Sequence, residues 1–120
     1  MHQKAGKSHR LTRRGDISRL FHDGRSVHDR LLRIVALAND LPHARLAVGV
    51  SKRHGGAVRR NRVKRLCREA FRLSRDRVPV GWDYMLIPKV GRELTLAGLR
   101  ASIVALARRV AAARPPGGKR

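Results

Sequence analysis

Ser51 to Arg72 reads S-K-R-H-G-G-A-V-R-R-N-R-V-K-R-L-C-R-E-A-F-R. Nine of these residues are Lys or Arg (Lys52, Arg53, Arg59, Arg60, Arg62, Lys64, Arg65, Arg68, Arg72), against a single acid, Glu69. Val63, Leu66, Cys67, Ala70 and Phe71 recur at i, i+3, i+4, i+7 and i+8, the pattern of a helix with one buried face. The cations fall on the other sides, and Arg60, Lys64, Arg68 and Arg72 make an i, i+4 row. Like charges at that spacing repel and weaken an isolated helix. Solvated surface helices ordinarily mix acids among their bases. So dense a row predicts a helix, roughly Val58 to Ser74, whose charge a polyanion neutralises. Glu69, at helical distance from Arg65 and Arg72, damps the repulsion.

Working outward, Gly55-Gly56 frees the backbone before this helix and Val78-Pro79-Val80-Gly81 breaks it. Trp82 to Val90 is aliphatic and aromatic and reads as a strand, with Pro88 suited to its end. Thr95 can cap a last helix in which Leu96, Leu99, Ile103, Leu106 and Val110 form an apolar stripe. On the N-terminal side, Arg30 to Asn39 and Arg45 to Ser51 read as strands. The short turn Asp40-Leu41-Pro42-His43 between them predicts an antiparallel pair. Asp16 to Asp23, with Ile17, Leu20 and Phe21 at i, i+3 and i+4 and Gly24 as a stop, reads as a short first helix. Residues 1–14 carry five cations and little that packs, the composition of a flexible basic arm. Residues 114–120 read as a disordered basic tail, leaving one domain over 15–113. The fold class is α+β, a small α-β sandwich with helices against one sheet.

Composition narrows the function. The chain has 120 residues, Lys+Arg 29 against Asp+Glu 8, and a formal net charge of +21. That imbalance favours an anionic partner. Only six of the cations are Lys, and the planar fork of Arg can grip phosphate bidentately. Cys67 is the lone cysteine, which excludes an internal disulfide and a Cys-based zinc site. It falls in the apolar row and reads as core. No apolar run approaches a membrane span, and the N-terminus lacks a secretory apolar segment. The expected compartment is the cytoplasm. The six His are scattered, and the eight acids are dispersed through caps and turns. No directly bound metal or cofactor and no catalytic constellation is expected. A protein-only nuclease, which needs clustered acids, ranks last. A ribosomal or general structured-RNA-binding protein without a processing role would share the charge and the fold class. With Phe21, Phe71, Trp82 and Tyr84 as its whole aromatic supply, and Phe71 in the core row, the chain must rely on phosphate and shape rather than base stacking. That favours a structured RNA.

The run Ser51-Lys52-Arg53, Gly55, Ala57-Val58, Arg60-Asn61-Arg62, Lys64-Arg65, Arg68-Glu69-Ala70-Phe71 closely resembles the Arg-Asn-Arg signature of the protein component of bacterial ribonuclease P. Arg10-Leu11, Asp16-Ile17, Leu20-Phe21 and Gly24-Arg25-Ser26 look like that family's first helix and following turn. Trp82-Asp83-Tyr84 looks like its last strand. The resemblance spans roughly residues 10 to 110. It implies a sandwich similar to the second domain of ribosomal protein S5, in the order α-β-β(-β)-α-β-α, with a left-handed β-α-β crossover against the usual rule. It also implies a function. The protein joins a catalytic RNA, and the complex removes the 5′ leader of precursor tRNA. The RNA performs the hydrolysis with its own Mg²⁺, and no protein partner is required. Carried over by position, Lys52, Arg53, Arg59, Arg60, Asn61, Arg62, Lys64, Arg65 and Arg68 meet RNA. The leader cleft falls on Ile17, Phe21, Leu32 and Val35, with Asn61 and Lys64 near its edge. Aromatics are common in the family at several of these places, and here only Phe21 remains.

Overall fold

The computed structural model describes residues 10–11 and 14–113. The stretches 1–9, 12–13 and 114–120, which hold most of the expected arm and all of the expected tail, lie outside the described residues. The elements run α1 (Arg14–Asp23), β1 (Arg25–His28), β2 (Leu32–Ala38), β3 (Arg45–Val48), α2 (Ala57–Ser74), β4 (Trp82–Pro88) and α3 (Leu96–Ala113). The strands form one mixed sheet in the order β1-β2-β4-β3. β1 and β4 both pair antiparallel with β2, and β3 lies parallel to β4. The chain therefore leaves β3, makes α2, and returns beside β3 as β4.

This order corrects the expected β2–β3 hairpin. β4 separates the two strands because it is apolar on both faces, with Trp82, Tyr84, Met85 and Leu86 all buried. A strand that needs cover on both sides belongs inside a sheet. The turn after β2 steps over the start of β4. Asn39 N–H donates to the Gly81 carbonyl at 2.9 Å, and Gly81 N–H to that of His43 at 3.3 Å. β1, only four residues and mostly exposed, has no period that sequence could reveal.

Two cores follow from the alternation of the strands. Leu32, Ile34 and Ala36 of β2 and Tyr84 and Leu86 of β4 face α2 and α3. There they meet Val63, Cys67, Ala70 and Phe71, and the stripe Leu99, Ile103, Leu106 and Val110. Each of the Val, Leu, Ile and Phe side chains among them contributes about 1.5–3 kcal/mol on burial. Phe71 and Tyr84 rings pack tilted at 55° with centroids 6.0 Å apart, and the Tyr84 hydroxyl donates to the Pro79 carbonyl at 2.8 Å. The Thr95 hydroxyl accepts from Gly98 N–H at 3.0 Å and caps α3. On the opposite face, Val35 and Met85 lie beneath α1 with Leu20 and Leu11. Leu11 N–H donates to the Leu46 carbonyl at 2.8 Å, and Arg10 bridges Leu46 in parallel. These two residues, assigned to the arm by composition, are instead fixed along the edge of β3, because Leu11 gains a core and a sheet partner there. α1 ends against Gly24, where an added Cβ would fall 2.3 Å from the Leu20 carbonyl oxygen.

One polar cluster ties the layers. Asp83 on β4 is buried, and its Oδ1 accepts from Arg45 Nε and from Asn39 Nδ2, each at 2.8 Å. Its Oδ2 accepts from Arg45 Nη2 at 2.8 Å. Arg45 Nη1 also stands 3.7 Å from Asp16 Oδ2 on α1. The hydrogen bonds to Asp83 raise the pKa of Arg45 above its ordinary value. Strands β3 and β4 and the turn after β2 thus share the Asp83 carboxylate, and α1 joins them through Asp16 at the Arg45 guanidinium.

Candidate nucleic-acid interface

The amphipathic pattern of α2 fixes which side chains reach solvent. Once Val63, Cys67, Ala70 and Phe71 enter the core, Arg59, Asn61, Arg62, Arg65 and Arg68 are exposed, and Arg60 and Lys64 are half-buried. Burial pushes the Cys67 thiol up to about 12 and keeps it an inert core group. The helix has one acid. Glu69 accepts from Arg72 Nη2 at 2.7 Å and Nε at 3.1 Å, which lowers the Glu69 pKa and raises that of Arg72. That pair lies at the C-terminal end. Over the first three turns no direct pair balances the charge: Arg59, Arg62, Lys64 and Arg65 have no hydrogen-bond or ion-pair partner among the described residues, and the nearby acid Glu93 only lines a hollow with Arg59 and Arg62. Arg60 Nε donates to the Gly55 carbonyl at 3.2 Å, tying the side chain to the helix entry.

The entry is built by the Ser51–Gly56 segment. Ser51 Oγ accepts from Arg53 N–H at 3.2 Å and starts a 3₁₀ turn over Lys52–His54. Gly55 closes it at φ 128°, a conformation glycine tolerates best. His54 is buried, and its Nε2 hydrogen-bonds the Pro88 carbonyl at 2.9 Å. This anchors the turn to the end of β4 and leaves Lys52 and Arg53 exposed beside the N-terminus of α2. Arg53 shares a shallow hollow with Arg33, Ile87 and Lys89 on the α1 side of the sheet.

Of the four positions assigned to the leader cleft, three come together. Ile17 is partly buried under α1 against the cluster that holds Val35. Phe21, one helical turn on, is 53% exposed, the only open ring among the four aromatics. Leu32 does not belong with them. It is fully buried in the α2–α3 core, because a spacing of three along a strand puts it on the face opposite Val35. The β2 residue next to Leu32 that shares the α1 side with Val35 and Leu37 is Arg33, whose Nη1 donates to Ser26 Oγ at 2.6 Å. Nearby, Lys89 Nζ lies 2.9 Å from His28 Nδ1.

Sequence reasoning also missed cations contributed from outside the signature. Arg10, Arg65, Arg68, Arg72 and Arg75 line a cavity of about 300 Å³ between residues 10–11, β3 and the second half of α2. Arg75 stands 5.9 Å over the Phe71 ring, and its Nε is buried with no hydrogen-bond partner. Desolvation, followed by the nearby charge of Arg10, lowers the Arg68 pKa. No signal short of the fold could have brought Arg10 to this helix. Among the described residues, no three His, Cys, Asp or Glu side chains gather as a metal site would require. No helix among them is long and apolar enough to cross a membrane.

A mixed four-stranded sheet and a cationic surface helix on a parallel crossover define a small α+β domain with one strongly basic helix face. Comparison with known proteins narrows this class. The family model for ribonuclease P matches residues 5–111, and the chain belongs to the ribonuclease P protein component family. The ribonuclease P protein component of Syntrophus aciditrophicus is 40% identical over 83 residues, 69% of this chain and 70% of that one. The protein of the same name from Thermotoga petrophila is 36% identical over 80 residues, 67% of this chain and 68% of that one. The solved RNase P protein of Thermotoga maritima superposes with a TM-score of 0.76 at 28% identity, covering 84% of this chain and 96% of that one. The Staphylococcus aureus RNase P protein gives 0.72 at 28%, covering 88% and 96%.

Proposed function

We propose that this chain is the protein subunit of a ribonuclease P ribonucleoprotein, which removes the 5′ leader from precursor tRNA. The observation that carries this reading is the cationic surface of α2, without ion pairs over its first three turns, on a scaffold of that family. α2 binds the catalytic RNA through Arg59, Arg60, Asn61, Arg62, Lys64, Arg65 and Arg68, with Lys52 and Arg53 extending the contact at the helix entry. Guanidinium groups free of protein partners are available for phosphate. The leader lies along α1 and the outer face of the sheet beside Ile17, Phe21 and Val35, with Arg33, Arg53 and Lys89 as backbone contacts. Phe21 offers one plane for base stacking. Hydrolysis belongs to the RNA and its Mg²⁺, and the protein contributes binding and position.

The test is precursor-tRNA cleavage by a bacterial ribonuclease P RNA at low Mg²⁺, with and without this protein. Strong stimulation that depends on the leader is expected. RNA binding without stimulation would reduce the protein to a structured-RNA binder.

A further inference from the structure

α3 spends its apolar stripe on the core and leaves a second face of small side chains flanked by cations. Ala97, Ala101 and Ala105 follow one another at i, i+4 and i+8. With Arg77, Arg100 and Arg108 they line a groove of about 500 Å³ between α3 and the 3₁₀ turn Arg75–Arg77 that follows α2. Methyl side chains keep its floor low, so a bulky chain can approach the helix closely. The cations on its walls are held in place. Arg100 Nη2 donates to the Leu73 carbonyl at 3.3 Å and its Nε to Ser74 Oγ at 3.4 Å. Arg108 Nε donates to the Arg77 carbonyl at 3.1 Å. Both guanidinium groups are positioned by neutral acceptors and have further N–H groups to give. Arg77 is exposed and in no ion pair among the described residues. No carboxylate lines the groove. The one acid adjoining it in sequence, Asp76, is exposed and pairs with none of the three.

Two fixed forks and a third, exposed cation over a floor of methyl groups match a sugar-phosphate backbone, which asks for spaced cations and little else. We infer that this groove is a second seat for RNA backbone, filled by a segment of the same RNA that α2 binds. The inference rests on the proposed function for its partner. Two seats joined by one rigid domain make the second contact intramolecular, so the groove adds affinity and fixes the orientation of the protein on the RNA.

The assay uses the complex with ribonuclease P RNA. Ala105→Cys places a single reactive thiol on the groove floor for an iron-EDTA tether, since Cys67 is buried. Val58→Cys, on an exposed residue at the start of α2, gives the reference footprint. Hydroxyl radicals from position 105 are expected to cut an RNA segment not cut from position 58. No cuts from 105, or only those seen from 58, would overturn the inference. In parallel, Arg77→Gln with Arg108→Gln should weaken RNA binding by about tenfold or more and reduce the slope of log K against log salt by about 1.8, two contacts at about 0.9 each. Wild-type affinity of that pair, where Arg62→Gln with Arg65→Gln does weaken binding, refutes the groove and spares the function. Wild-type affinity of both pairs refutes both.

Discussion

Asp83→Asn should loosen the whole sandwich. The replacement keeps the shape of the side chain but removes the charge, and turns an amide NH₂ toward the Arg45 fork, donor against donor. Breaking a buried ion pair from one side costs about 3–5 kcal/mol. The low end applies here, because the Arg45 side chain is 23% accessible and keeps Asp16 at 3.7 Å. An unfolding entropy near 2.1 cal/mol/K per residue gives roughly 0.25 kcal/mol/K for this chain, so about 3 kcal/mol lowers Tm by about 12 °C. Thermal unfolding followed by circular dichroism, at a fixed high ionic strength that screens the +21 charge, measures this. The pair can also be removed whole. Asp83→Leu with Arg45→Met should cost less than Asp83→Asn alone, since the one charge left without its partner, Asp16, is 27% accessible and reaches water. A Tm loss under about 4 °C for Asp83→Asn, near 1 kcal/mol, or a double variant worse than the single, would refute the idea that this carboxylate ties β3 and the turn after β2 to β4.

Three further outcomes follow from the surface and the core. Arg62→Gln with Arg65→Gln, both exposed and partnerless, should reduce the slope of log K for RNA against log salt by about 1.8; an unchanged slope would take this face of α2 out of the RNA interface. Phe21→Ala should leave the fold intact and weaken binding of a leader-bearing precursor by about 1–2 kcal/mol, one stacked base, without affecting leaderless tRNA; equal losses on both would remove Phe21 from the leader site. Cys67 gives a pH signature. Its folded pKa is raised from 9.0 to about 12, so the unfolded chain releases this proton first. Stability from this group is complete below pH 9 and falls as pH rises toward 12, by about 1.4 kcal/mol per unit. Unfolding by urea at pH 8 and pH 10 should show a smaller decline in Cys67→Ala than in wild type, and identical declines would contradict the burial argument.

The helices were legible because their patterns are long. Val63 to Phe71 and Leu96 to Val110 each repeat an apolar face over several turns, and the core takes up those faces as the spacing requires. β4 was legible as a strand but not as the central one, since local spacing carries no information about which distant strand will be its neighbour. β1 was invisible: four residues, of which only Val27 is half-buried, bury too little to impose alternation. Leu32 is a different case. A separation of three from Val35 already assigns the two to opposite faces of any strand, so period-two reasoning alone would have substituted Arg33. Arg10 and Arg75 could not have been singled out in a chain where cations occur throughout, because only the pairing of residues 10–11 with the edge of β3 and the turn after α2 bring them to one cavity.

The placement of β4 between two strands made much earlier has a consequence for synthesis on the ribosome. β1 and β2 can zip together as soon as they emerge, but β3 has no strand to pair with until residues 82–88 arrive. α2 must wait with it, because the floor it packs on includes Tyr84 and Leu86. Closure then depends on contacts between distant parts of the chain, the slow kind to form. A nascent chain stopped anywhere short of Pro88 holds an amphipathic helix with nothing beneath it and two open strand edges, a species prone to aggregate or be degraded. Partial products of this gene should therefore not accumulate as smaller folded domains.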